Sequence, residues 1–263
     1  MSETLSRMAH KIRSAAELNQ VVRTMKTLAA VNIPVYERAV AALAEYEQTI
    51  ELGLVACFHD QSLSIEPSAE TSATARSSII VFGSDQGLVG DFNERLASFS
   101  AGRIHQPQSA TVWPVGERVF DELAKHKIVA QAALRVPDSV AGISRIIGEL
   151  LANLNVANDT GALRIRIFHN RPMQGRYHEP VESILLPLDE QWLRRLRATV
   201  WPDRMIPQTF HPPEQTWAAL IREYLFVHLF RACAESLASE NISRFAALSN
   251  RTSTRIGSIT RES

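Results

Sequence analysis

The strongest constraint on this chain is where its helix breakers are absent. Residues 1–50 contain a single proline, Pro34, and no glycine, and residues 214–256 contain neither. All eleven glycines fall between Gly53 and Gly257, nine of them between Gly83 and Gly175. Glycine and proline punctuate almost everything except helix interiors. The pattern therefore predicts two long helices at the chain ends flanking a loop-rich middle.

Each end carries a stripe. Leu5, Met8, Ile12, Ala15, Val22, Ala29, Ile33, Tyr36, Val40, Leu43, Ile50 and Leu54 follow an alternating spacing of three and four, interrupted by the polar Asn19, Lys26 and Glu47. A repeat averaging 3.5 residues keeps one seam toward a partner helix and favours a left-handed supercoil. Some fifty residues make a rod of roughly 75 Å, which Pro34 is expected to kink or divide into two helices in line. At the other end, Pro212 and Pro213 before Glu214 are a good helix start. Trp217, Leu220, Tyr224, Val227, Ala234, Leu237, Phe245 and Leu248 then repeat the spacing. Two such rods most simply bury their stripes against each other.

Residues 60–77, rich in Ser, Thr, Ala and acid, read as a mobile linker. Strand and helix patterns then alternate: "SSIIVFGS", "ATVWPVG", the helical "ERVFDELAKH" and "SVAGISRIIGELLANL", the alternating "ALRIRIFHN", and "VESILLPL". That order implies a small α/β layer domain with a largely parallel sheet.

Composition removes several function classes. Lys+Arg and Asp+Glu are both 28, so nothing in the charge balance points to nucleic acid or an anionic membrane surface. There is no apolar signal core and no run of about 18 apolar residues to span a bilayer. Cys57 and Cys233 match no disulfide or zinc spacing and read as reduced thiols.

The most tempting motif for chemistry is "GSDQGLVGDFN" at 83–93, where a strand gives way to a helix. Phosphate-binding loops live in that context. A P-loop needs Lys-Ser/Thr after its last glycine, however, and here Asp91 follows Gly90. Gly83, Gly87 and Gly90 are spaced four and three apart, which is not the dinucleotide fingerprint. A tight turn is favoured, with Asp85 and Asp91 capping the helix that follows. The eight histidines make no metal-binding helical pair and no G-x-S-x-G elbow occurs, so no catalytic, cofactor or metal residue is assigned.

Three stretches resemble one family in the right order over nearly the whole chain. "RTMKTLAA" (23–30) resembles the "KAMKMVAA" element in the N-terminal helix of the F-type ATP synthase gamma subunit. "GSDQGLVGDFN" resembles its "TSDRGLCGGFN" turn, and "SLASENISRFAAL" (236–248) resembles "SLASEHAARMAAM" in its C-terminal helix. "LLPL" at 185–188 and the F-H-P at 210–212 are weaker landmarks.

The resemblance implies an α/β fold in which an antiparallel coiled coil joins a small Rossmann-like α/β domain. Its parts are an N-terminal coiled-coil helix (1–58), a linker (59–77), the α/β domain (78–188), a connector (189–211) and a C-terminal helix with tail (212–263). It implies a central-stalk rotor without an active site of its own, which couples proton or sodium flow through the membrane ring to conformational cycling of the catalytic beta subunits. The implied partners are the alpha–beta hexamer, the epsilon subunit and the c-ring, without nucleic acid, cofactor or membrane insertion. The implied place is the cytoplasmic face of a bacterial inner membrane, as a peripheral protein.

Carried over by position, Met25, Lys26, Ser239, Glu240 and Arg244 are expected to meet the hexamer. Lys26 otherwise reads as a solvated charge, and Glu240–Arg244 as an exposed i,i+4 pair. Gly83, Asp85, Gly87, Gly90 and Asn93 belong to the turn of the α/β domain. The chain departs from the family at Pro34, at Asp91 where glycine is common, and at His211 where glutamate is usual. After Leu248 it runs "SNRTSTRIGSITRES", where the resemblance would place several more helical turns before "SITRE". A C-terminal helix ending near residue 256 at Gly257 is expected, leaving the N-terminal rod without a full-length partner. Two other readings stay open: a free-standing nucleotide-binding α/β protein using loop 83–93, and a paralogue that no longer assembles.

Overall fold

The computed structural model describes residues 2–59, 76–104, 110–154, 163–173, 176–201, 205 and 211–259. Two long helices, α1 (Ser2–His59) and α6 (Pro213–Ile259), run antiparallel. Between them come β1 (Arg76–Phe82), α2 (Phe92–Ala101), β2 (Ala110–Val115), α3 (Glu117–Lys125), α4 (Val140–Asn153), β3 (Leu163–Met173), β4 (Arg176–Leu186) and α5 (Glu190–Ala198). Of the stretch read as a linker, residues 60–75 lie outside the described residues, as do 206–210 and 260–263.

The four strands form one sheet in the order β2-β1-β3-β4. β1 is parallel to both neighbours, and β4 closes the sheet as an antiparallel edge. Strand residues alternate between two faces. Ile79, Val81, Val112 and Phe168 pack with Leu96, Ala97, Val119 and Leu123 of α2 and α3. Ile80, Phe82, Ile165 and Ile167 meet Ile143 and Ile147 of α4 and Leu225 and Leu229 of α6. The alternating pattern of "ALRIRIFHN" thus separates two cores, one per face.

α1 lies on the far side of α6. The antiparallel register runs from the Phe58–Trp217 ring contact at 5.1 Å, through the Tyr46–Glu223 hydrogen bond at 2.7 Å, to Lys26 over Phe245. Glu47 is paired with Arg231 and lies 3.5 Å from His228. Gly53 sits at a close approach of the two helices: a Cβ there would lie 2.9 Å from Leu220. On α1, the predicted inward positions Ala29, Tyr36, Ile50 and Leu54 are all buried.

Several expectations change. α1 is one helix through Pro34, which is exposed. On that face water can take the hydrogen bond the proline cannot make, so the helix continues. α6 does not stop at 256 but runs through Gly257 to Ile259. A single glycine costs only about 1 kcal/mol relative to alanine, which slows a helix without ending it. Its 47 residues span about 70 Å against about 87 Å for the 58 of α1. Continuing the observed register, Ile259 falls level with roughly residues 12–16 of α1. Only the first turns of α1 extend past it.

The stretch read as a connector contains α5. Asp189 caps it by accepting from the Gln191 N–H at 3.0 Å, and Leu193 and Leu196 are buried. α5 braces the foot of the helix pair: the Trp192 indole donates to Glu51, and the Arg197 guanidinium stacks over Phe58. β4 also begins at Arg176, five residues before "VESILLPL".

Candidate functional site

The turn after β1 is built around close approaches. The Gly83 N–H donates to the Val115 carbonyl at 2.8 Å. A Cβ at Gly83 would lie 2.3 Å from the Cβ of Val119 and 2.8 Å from Asn93 Oδ1, so only glycine fits. Asn93 locks the buried Ser84, accepting from its N–H at 3.0 Å and donating to its Oγ at 2.8 Å. Gly87 is open apart from the Arg118 guanidinium at 4.0 Å, and Gly90 has φ +64°. Asp91 stands at the start of α2 but makes no cap hydrogen bond. Asp85 does cap a helix, though not the one that follows it. Its carboxylate accepts from Glu117 N at 3.1 Å, at the first residue of α3, and from Val136 N at 3.0 Å. Asp85 therefore ties the turn to the end of β2 rather than to α2.

In an open α/β sheet, ligands bind outside the carboxyl ends of the strands where the winding reverses. Here that point lies between β1 and β3, because the chain moves from β1 to β2 on one side and then to β3 on the other. The chain's own α6 occupies it. The Ser236 hydroxyl donates to the carbonyl of Phe82, the last residue of β1, at 2.8 Å. The Ser239 hydroxyl donates to the Asn170 carbonyl in β3 at 3.0 Å. Asn170 in turn donates from Nδ2 to the Phe92 carbonyl at 3.1 Å. Ser243 shares a 2.9 Å hydrogen bond with His178 of β4. The three serines of "SLASENIS" thus pair with polar groups of β1, β3 and β4 that would otherwise be buried without them.

One turn along, Arg244 donates to Glu240 at 2.5 Å, with side chains only 12% and 7% exposed. The pair is turned inward, neither on a free outer face nor in solvent. Burial pushes the Glu240 carboxyl above its usual range, with Arg244 acting against the shift. Glu240 Oε2 and Arg244 Nε have no hydrogen-bond partner. Tyr36, across the seam, is pushed up to about 12, first by burial and then by the Glu240 charge.

Toward the N-terminal end of α1 the surroundings change. Lys26 is half-buried, its ammonium 4.9 Å from the centre of the Phe245 ring, so its first partner is α6. Met25 is half-buried. Leu18, Val21, Leu28 and Val31 are 54–58% exposed, a cluster of large apolar side chains on one helix that the described residues leave uncovered. Seam logic from the sequence assigned the inward stripe and missed this second one. Its signal was present, since α1 carries more apolar residues than one seam can use.

Sequence reasoning also missed Ser236, Asn170, His178 and Ser243. Among the described residues no group of three or more His, Cys, Asp or Glu could hold a metal ion, and no helix is long and apolar enough to cross a membrane.

Known proteins place this arrangement. A family model described as ATP synthase matches residues 4–259. The ATP synthase gamma chain of Clavibacter sepedonicus is 26% identical, over 94% of this chain and 85% of its own length. That of Brevibacillus brevis is 22% identical, over 96% and 87%. Among solved structures, the central stalk and c-ring of the Tetrahymena thermophila mitochondrial ATP synthase contains a chain similar in fold. The TM-score is 0.60 at 15% identity, covering 88% of this chain and 99% of that one.

Proposed function

The chain belongs to the ATP synthase family, and on that premise we propose that it is the gamma subunit, the rotor shaft of the central stalk. The observation that carries this reading is the exposed stripe of Leu18, Val21, Leu28 and Val31 on a helix braced from behind by α6. An apolar surface of that kind on a rigid element fits enclosure by a larger assembly. The enclosing partner in this reading is the ring of alpha and beta subunits. Their catalytic sites would be driven through successive conformations as the asymmetric shaft turns. The foot of the helix pair, where α5 braces Phe58 and Glu51, would face the epsilon subunit and the c-ring. The chain would then be a peripheral protein on the cytoplasmic face of a bacterial inner membrane.

Torque must pass between the α/β domain and the helix pair without slack. α6 supports this physically, because it is held by hydroxyl contacts at β1, β3 and β4 and buried between the sheet and α1. The same contacts argue against the nucleotide-binding alternative, since the crevice such a ligand would use is filled. ATP chemistry belongs, in this reading, to the partner subunits. Met25 and the exposed stripe are the proposed bearing residues, with Lys26 beside them. Ser239, Glu240 and Arg244 are proposed to act by fixing α6 to the domain, so that what reaches the hexamer is the direction of the rod.

The test is co-expression of the tagged chain with the alpha and beta subunits from the same source. We expect a stable complex with ATPase activity, and expect Val21→Glu or Leu28→Glu to weaken it while leaving the free chain folded. No complex with the unaltered chain would overturn the reading.

A further inference from the structure

Among the described residues, His178 is the buried imidazole that joins three parts of the molecule. It lies on β4 and is 2% exposed. Its Nδ1 shares a 2.9 Å hydrogen bond with Ser243 of α6. Its ring packs edge-on to Phe92, the first residue of α2, with centroids 5.2 Å apart. Its Nε2 is buried without a hydrogen-bond partner and lies 3.9 Å from Asp91 Oδ1 in the turn after β1. That distance is too long for a hydrogen bond, yet short enough that a modest movement of the exposed Asp91 would make one.

We propose that His178 is a proton-responsive joint between α6 and the α/β domain, holding Ser243 as a neutral imidazole and loosening α6 when acid protonates it. A neutral ring satisfies Ser243 with one nitrogen and leaves the other uncharged, 3.9 Å from the Asp91 carboxylate. An added proton turns that second nitrogen into a buried charged donor whose nearest acceptor is out of reach. The site must then draw Asp91 inward or release the ring. Burial holds the imidazole below its ordinary 6.5, with Asp91 acting against that shift and Arg95 of α2 adding to it. Among the other charges near this junction, Asp91 also lies 3.8 Å from Arg95, and a second buried imidazole, His169 of β3, meets Glu235 of α6 at 2.8 Å. On α6, Arg244 is paired with Glu240, and at the neighbouring register of β3 and β4, Arg171 is paired with Glu179 at 2.5 Å.

The sign follows from linkage. A histidine that binds its proton more weakly when packed than when exposed stabilises the packed form above its exposed value. That contribution is lost as pH falls below about 6.5, at up to about tenfold in the opening equilibrium per pH unit. Any consequence for torque rests on the rotor reading; the joint itself does not.

The experiment is hydrogen exchange of the full chain from pH 8 to pH 5, read as protection factors, with NMR titration of the His178 ring. Protection at 236–248 and 83–93 should fall with acid below about pH 6.5, by up to about tenfold per pH unit, while α3 and β2 stay level. His178→Gln, which can still bond Ser243 but cannot charge, should keep its neutral-pH protection and lose the acid response. Asp91→Asn should deepen the response and move the ring titration to lower pH. A flat wild-type profile, or the same acid response in His178→Gln, would overturn the proposal. If His178→Gln proves too disrupted to compare, an unchanged ring titration in Asp91→Asn would overturn it as well.

Discussion

The two long helices are similarly poor in helix breakers and sit in opposite situations. From Leu225 to Leu248, α6 is buried nearly all round, with α1 on one side and the sheet on the other. From Arg13 to Val31, α1 buries little more than the line containing Ala29 and exposes Leu18, Val21, Leu28 and Val31. One helix is a core element that happens to be long. The other is a surface element whose second apolar face the chain leaves open. Helix length therefore says little about what a helix is for; what distinguishes these two is where their backs are.

The sharpest way to break this contrast is to unpair the charge buried in α6. Arg244→Ala leaves Glu240 buried without its partner and should cost about 3–5 kcal/mol in chemical denaturation. The sign with pH is definite. Glu240 already sits above the usual carboxylate range, and Arg244 is what restrains it, so its loss raises the folded value further. A group whose folded value is raised favours the fold when protonated. The deficit of Arg244→Ala should thus be full above that raised value and shrink as pH falls through it. A deficit that grows with acid would mean the pair is not buried as described.

A matched pair of truncations tests the comparison directly. Leu225→Ala, at a fully buried position of α6, should cost about 2–5 kcal/mol. Leu28→Ala, 57% exposed on α1, should stay within about 0.5 kcal/mol in the free chain. In the assembled complex the order of functional effect should reverse, with Leu28→Ala lowering ATP-driven ion pumping more per unit of stability lost. Equal stability effects in the free chain would erase the distinction between the helices.

What could be read in the sequence follows the same division. Breaker placement and the three-four stripe located both helices and their mutual seam, because those signals are local. The strands were legible for the same reason, as in the alternation of Leu163, Ile165 and Ile167. The serines of "SLASENIS" were not legible as anchors. Their acceptors are carbonyls of Phe82 and Asn170, distant in sequence, and a polar helix face looks the same whether it meets water or strand ends. Glu240–Arg244 misled likewise, since i,i+4 spacing reports helix geometry and not exposure. α5 went unread although Asp189 and the Leu193–Leu196 spacing signalled it, because the resemblance implied only a connector there.

Asp85→Ala is a smaller probe, aimed at the domain end of the junction. It frees the N–H groups of Glu117 and Val136 and should cost about 1 kcal/mol, within the range for lost helix caps. Asp91→Ala, whose side chain makes no cap hydrogen bond, should cost less at neutral pH. A larger loss from Asp91 would restore it as the capping residue.

A small effect is expected at Lys26, where the two helices still touch but neither is buried. Its ammonium lies 4.9 Å from the Phe245 ring centre, and Phe245 is 37% exposed. A cation–π contact at such a site is worth about 0.5–1 kcal/mol. Lys26→Met keeps the aliphatic packing and removes the charge, so the free chain should lose no more than that amount. A double-mutant cycle with Phe245→Leu should recover the same coupling energy. On the rotor reading the contact would have a competitor, because a lysine held this loosely can turn outward to an acidic partner loop at almost no cost to α6. Lys26→Glu would then replace an attraction by a repulsion, and the ratio of ion pumping to ATP hydrolysis should fall while the amount of assembled complex holds. A ratio that stays level with Lys26→Glu would assign Lys26 to the seam alone and leave the bearing to its apolar neighbours.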